Sequence, residues 1–283
     1  MIDCTEHALT FECGGEALLG IVSAPAKPRS TAVVLVVGGP QYRAGSHRQY
    51  TLLARRLAAA GFAVLRFDMR GMGDSGGAQR GFESVRDDIG AAIDALAHHQ
   101  PAVCKIVLWG LCDAASAALL YCDETADPRV AALALVNPWV RSCTSEARTR
   151  VNHYYAQRLM QGEFWAKLLR GQVGATALAE LGRNLRQFQA DAPQPAAAAT
   201  YQQRMAAAWL RFEGPLLLVL SGRDYTAKEF IDHASSDPAW RGTLDQPRLV
   251  RRDFVDADHT FSDAAARSAL EEATLSWLEG NEP

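Results

Sequence analysis

Lys105-Ile106-Val107-Leu108-Trp109-Gly110-Leu111-Cys112-Asp113-Ala114-Ala115-Ser116 is the stretch on which the reading of this chain turns. Residues 105–109 form a short apolar run of strand length, and the alanine-rich sequence after Cys112 opens a helix. A side chain presented on a sharp strand-to-helix turn needs tiny neighbours two residues before and after it, because the strained backbone leaves no space for larger ones. Gly110 and Ala114 meet that need. Such a turn lifts residue 112 above the sheet edge and sets it at a helix N-terminus, where the dipole and the free amides favour a thiolate over a thiol. The plain alternative is a buried core cysteine that happens to begin a helix.

Strands and helices alternate on both sides of this turn. Two alternating segments, 7–13 and 17–23, flank Gly14-Gly15 as a hairpin. Residues 31–37 are a continuous β-branched run ending on Gly38-Gly39-Pro40, the pattern of a strand covered on both faces. A helix over 47–60, with Leu52, Leu53, Leu57 and Ala60 on one face, stops at Gly61, and residues 63–67 form the next strand. A helix over 84–99 precedes the central strand, and a strand over 130–136 follows its helix. Residues 142–212 then read as helical throughout, after which strands at 215–220 and 248–254 alternate with helices from 226 and over 261–280. This order predicts an α/β fold with a mostly parallel sheet and helices on both faces. It places the core in 1–141 and 213–283, and an inserted helical lid in 142–212 over the carboxyl edge of the sheet, with 190–200 as its hinge.

Two later strands end on residues that give position 112 a chemical context. Strand 215–220 runs into Ser221-Gly222-Arg223-Asp224, and strand 248–254 into Asp256-Ala257-Asp258-His259. Nucleophile, acid and histidine thus follow three different strands at one sheet edge, which is how residues distant in sequence converge. Cys112 is read as the nucleophile, His259 as the group that moves the proton, and Asp224 as the acid that fixes the imidazole. Asp224 also suits a helix cap. Asp256 and Asp258 are rival acids, too near His259 in sequence to reach its far ring nitrogen without a special loop. The oxyanion hole is expected from the amides of Asp113 and Gly39, or of Gln41 if the loop is shifted, since Pro40 has no N–H.

Asp68-Met69-Arg70-Gly71-Met72-Gly73-Asp74-Ser75 resembles the D-x-R-G-x-G-x-S segment of α/β-hydrolases, and Val37-Gly38-Gly39-Pro40 resembles their H-G-G-P loop with valine for histidine. The resemblance spans nearly the whole chain and implies the α/β-hydrolase fold, with Asp68 and Arg70 structural. Gly38 to Arg43 and Gly110 to Ser116 resemble most closely the exosortase A system-associated hydrolase 1 group, which implies a bacterial exopolysaccharide context. Cysteine at the turn is similar to dienelactone hydrolases and polyester synthases, pointing to esters, lactones or thioesters. The family's usual serine is Cys112 here, and its second glycine is Ala114.

The expectation is therefore a hydrolase of an ester, thioester or lactone, working through an acyl-cysteine intermediate with no metal and no cofactor. The alternatives are an acyltransferase with the same triad and a non-catalytic binding module. Gln41, with His153 and Tyr154 of the insertion, is expected to bind a small-molecule acyl substrate; Tyr155, Phe164 and Trp165 are further candidates. At 283 residues, 48% hydrophobic, 22% charged and a net charge of -3, the composition is that of a globular protein. No basic stripe suggests nucleic acid, and no apolar run reaches membrane-span length. With no signal-like N-terminus, a cytoplasmic location is expected. Of the six cysteines, the five other than Cys112 are expected to be buried, inert thiols.

Overall fold

The computed structural model describes residues 4–39, 41–141 and 199–281. The chain divides into two compact units, Met1–Trp139 with Tyr201–Pro283, and Val140–Thr200. Pro40, most of the expected lid, and His153, Tyr154, Tyr155, Phe164 and Trp165 lie outside the described residues.

The first unit holds an eight-stranded sheet in the order β1-β2-β4-β3-β5-β6-β7-β8. The hairpin β1 (Cys4–Cys13) and β2 (Glu16–Pro25) is antiparallel, and β2 pairs antiparallel with β4 (Ala63–Phe67). Every later pairing is parallel: β4 with β3 (Thr31–Val36), then β5 (Lys105–Leu111), β6 (Val130–Val136), β7 (Leu216–Ser221) and β8 (Leu249–Phe254). All residues of β3, β4 and β7 are buried, Arg66 of β4 included, as expected of strands covered on both faces. The edge strand β8 instead exposes Arg251, Arg252 and Asp253.

On one face, Val33, Leu35, Val107 and Trp109 pack under α1 (Gln49–Ala59) and α6 (Ala264–Gly280). Helices α2 (Arg86–His99) and α3 (Asp113–Thr125) pack together on the sheet. Helix α5 (Tyr225–Ser236) follows β7. Because β3, β5, β6, β7 and β8 run parallel, the loops that leave their carboxyl ends gather at one edge, the edge where open α/β sheets place their sites.

The core resumes earlier than the sequence reading put it. Helix α4 (Tyr201–Arg211), assigned there to the insertion, belongs to the sheet-bearing unit. Its Arg204 pairs with Asp123 at 2.9 Å and Glu124 at 2.5 Å on α3. Trp209 is fully buried, stacked on Phe230 and edge-on to Trp240, with Nε1–H donating to the Thr243 carbonyl at 3.0 Å. Its partners lie tens of residues downstream, so a window of local sequence held no sign of them. Trp209→Ala is expected to lower stability by about 3–5 kcal/mol, read from the denaturant midpoint; a change below about 1 kcal/mol would detach this helix from the core.

The Asp68–Ser75 segment is fully used in holding loops. Asp68 accepts the Arg43 amide at 2.6 Å and the Asp74 amide at 3.0 Å and pairs with the Arg43 guanidinium, while Arg70 donates to Asp88 at 2.7 Å. Among the described cysteines only Cys13 is buried outright: Cys4 and Cys122 are half-buried, and Cys104 is exposed, against the expectation for it. Burial nevertheless pushes the Cys122 thiol up to about 12. Cys143 lies outside the described residues.

Candidate active site

Strand β5 runs to Leu111, two residues beyond the expected end, so the whole reversal into α3 falls on Cys112. Its backbone sits at φ 63, ψ -125, a conformation that a non-glycine residue holds only when its surroundings fix it. Those surroundings are tight: a Cβ at Gly110 would stand 2.6 Å from the Ala114 carbonyl group. The Cys112 amide donates to Val136 at 2.8 Å, tying the turn to the end of β6.

Asp224 caps a helix and reaches the histidine with the same carboxylate. It is the N-cap of α5, accepting from Thr226 N–H at 3.0 Å and Ala227 N–H at 3.4 Å, and its Oδ2 lies 2.7 Å from His259 Nδ1. The carboxylate is buried. His259 is hydrogen-bonded to Asp224 and lines the same cavity as Cys112; its interactions with these two, the first the larger, push the imidazole up from 6.5 to about 10. The rival acids are engaged elsewhere: Asp256 pairs with Arg223 at 3.1 Å, and Asp258 accepts the Thr260 and Ser262 amides at 3.1 and 3.0 Å.

Asn137, one residue past the strand expected over 130–136, knits the loops that carry Asp224 and His259 together. It is fully buried at φ 46, its Nδ2 donates to Ser221 Oγ at 2.9 Å and to the His259 carbonyl at 3.3 Å, and its Oδ1 accepts the Ser221 amide at 2.9 Å. Asn137→Ala is expected to lower kcat by up to about a hundredfold through a shifted His259, and to cost about 1–3 kcal/mol for the Ser221 groups left unpaired. Ester kinetics beside thermal melts check both.

A cavity of ≈ 380 Å³ is lined by Cys112, Asp113 and His259, with Gly39, Gln41, Tyr50, Phe82, Leu111 and Trp139 among its walls. That volume lies in the range of small-molecule sites, about 300–1,000 Å³. Gln41 lines this cavity, and its Oε1 is buried with no hydrogen-bond partner among the described residues. The aromatic walls went unread, because Tyr50, Phe82 and Trp139 come from three separate segments. Of the amides expected to face an oxyanion, that of Gly39, at φ 58, donates to Asp113 Oδ2 at 2.8 Å. Among the described residues no group of three or more His, Cys, Asp or Glu is placed to hold a metal ion.

Comparison with known proteins places this geometry. The family described as serine aminopeptidase, S33 (Hydrolase_4) matches residues 28–238. Among solved structures, the Pyrococcus furiosus esterase Pf2001 is similar at 14% identity and TM-score 0.66, over 100% of this chain and 95% of its own. A thermostable carboxyl esterase from Bacillus coagulans is similar at 15% identity and TM-score 0.64, over 98% and 99%. Est1E from Butyrivibrio proteoclasticus, solved with ferulic acid, is similar at 15% identity and TM-score 0.62, over 97% and 99%. No functionally curated protein matches the sequence.

These matches overturn the expectation of a cysteine-nucleophile hydrolase with an acyl-cysteine intermediate, since the family is named for serine and the similar enzymes are esterases. The elbow demands small neighbours and an outward side chain, which a hydroxyl and a thiol satisfy alike, so the residue type at 112 did not define the reaction class. The link to the exosortase A system is likewise withdrawn, because the matches reach the superfamily and no such group within it. With three quarters of its length under one family model, the chain belongs to the serine aminopeptidase S33 family of α/β-hydrolases.

Proposed function

We propose that the protein is an esterase acting on small esters in the cavity over β5, with Cys112, Asp224 and His259 at its catalytic positions. The observation that carries this reading is the imidazole of His259, hydrogen-bonded to Asp224 and standing with Cys112 in the wall of a cavity sized for a small molecule. Family membership and the likeness to three esterases support it. His259 takes a proton from the group that attacks the ester carbonyl and returns it to the departing alcohol, while Asp224 fixes the ring and stabilises its charged form. The amides of Gly39 and Asp113 hold the oxyanion once they are free to do so. Tyr50, Phe82, Leu111 and Trp139 give the acyl group an apolar seat, and the unpaired Gln41 oxygen accepts a donor from the substrate. The reading rests on the His259–Asp224 pair and the cavity, and not on a thiol.

Hydrolysis of p-nitrophenyl acetate and butyrate by the parent and by Cys112→Ser, which installs the family's residue, tests it. Both are expected to turn over. Because His259 must lose a proton before it accepts one, the parent's kcat/KM rises with pH toward about 10. In Cys112→Ser the sulfur's share of that upward shift is gone, so the rise comes at lower pH. No hydrolysis by either protein at any pH overturns the reading.

A further inference from the structure

The carboxyl of Asp113 lies on the amides that an oxyanion needs. Its Oδ2 accepts the Gly39 N–H at 2.8 Å. Its Oδ1 occupies the space beside Gly38, 2.0 Å from where a Cβ at that position would stand, so glycine alone at 38 admits the carboxyl. The amides of Ala114 and of Asp113 itself also draw on it, opposing the burial that pushes its pKa up. The side chain lines the same cavity as Cys112 and His259. Preorganised donors at a helix start attract any nearby anion, and a tethered carboxylate outcompetes water for them.

We infer that Asp113 is an internal plug of the oxyanion hole: its carboxyl stands in for the substrate oxygen, and an ester binds productively only after the side chain swings off Gly39. A place to swing into is present. A second cavity of ≈ 210 Å³ adjoins the first, lined by Gly38, Gly39, Arg80, Phe82, Asp113 and Ala117, so the displaced carboxylate meets a cation there. Two positions for one side chain, one closing the hole and one opening it, make an autoinhibitory contact. The inference rests on the esterase reading above, which gives the Gly39 amide its role.

Asp113→Ala removes the plug and leaves the backbone donors. Since one oxyanion donor is worth about 10²–10³ in kcat, freeing the hole is expected to raise kcat/KM on p-nitrophenyl acetate by about tenfold or more, with a melting temperature near the parent's. Asp113→Asn keeps the shape and guards against a misfolded alanine variant. Its neutral amide oxygen grips Gly39 less firmly, so it is expected to gain less than alanine. In ¹H–¹⁵N spectra the Gly39 amide proton should move upfield in both variants as its charged acceptor is lost. Hydrolysis that disappears with His259→Ala yet is not raised in either folded variant overturns the plug and leaves the esterase reading standing. A Gly39 resonance that stays in place in Asp113→Asn also overturns it. Absence of His259-dependent hydrolysis from the parent and from both variants overturns the esterase reading and the plug together.

Discussion

His259→Ala is expected to lower ester hydrolysis by about 10⁴-fold, the upper end of what one positioned acid–base group supplies, with little change in folding. The imidazole is hydrogen-bonded to Asp224 and stands with Cys112 in the cavity wall. Removing it leaves the attacking group with no acceptor for its proton and the leaving alcohol with no donor. The ring is partly exposed, with 33% of its side chain open, so its loss opens no core cavity. A parallel assay of parent and variant on p-nitrophenyl butyrate, with circular dichroism melts, checks both halves. A variant retaining a tenth of the parent's activity would remove His259 from the mechanism.

The second large effect is expected from Asp224→Asn, which should cost about 10³-fold in kcat/KM while leaving α5 capped. Asparagine caps helices as well as aspartate does, so the bonds from Thr226 and Ala227 have a replacement acceptor. The 2.7 Å contact with His259 Nδ1 has none once an amide nitrogen faces it: the ring turns to the opposite tautomer or loses its hold. The pH dependence of stability separates this from simple damage. His259 has a folded pKa raised from 6.5 to about 10, with Asp224 the largest cause. A raised pKa means that folding favours the protonated form, so the stabilisation is fully present below pH 6.5 and disappears as the pH climbs through 10. Melting temperatures of parent and Asp224→Asn should therefore differ most below pH 6.5 and converge above pH 10. Curves that stay parallel from pH 6 to 11 would show that the pair contributes nothing to the fold.

Much of this architecture is written locally. The apolar runs 32–36 in β3, 130–136 in β6 and 216–220 in β7 declare strands covered on both faces, because no polar face is left to meet water. Gly110 and Ala114 declare the sharp turn, because the close approach of β5 to α3 excludes larger side chains. The placement of Asp224 and His259 after successive strands declares that the two can meet, because parallel strands deliver their carboxyl ends to one edge. In each case the constraint acts within a few residues, where sequence can record it.

What the sequence could not determine involves groups that meet only when the chain closes. Whether Asp224 caps a helix or orients a histidine is answered by both, since a carboxylate has acceptor sites for each. Asn137 acquires its part from Ser221 and His259, 84 and 122 residues away. Trp209 reveals its place only against Phe230 and Trp240. Asp113 was read through its backbone amide, the donor that its position after the elbow makes available. The tertiary structure alone brings the Gly39 amide, 74 residues away, to its carboxyl, because hydrogen-bond pairing is decided by which donors and acceptors packing leaves within 3 Å of one another, and no local pattern of residues encodes that distance.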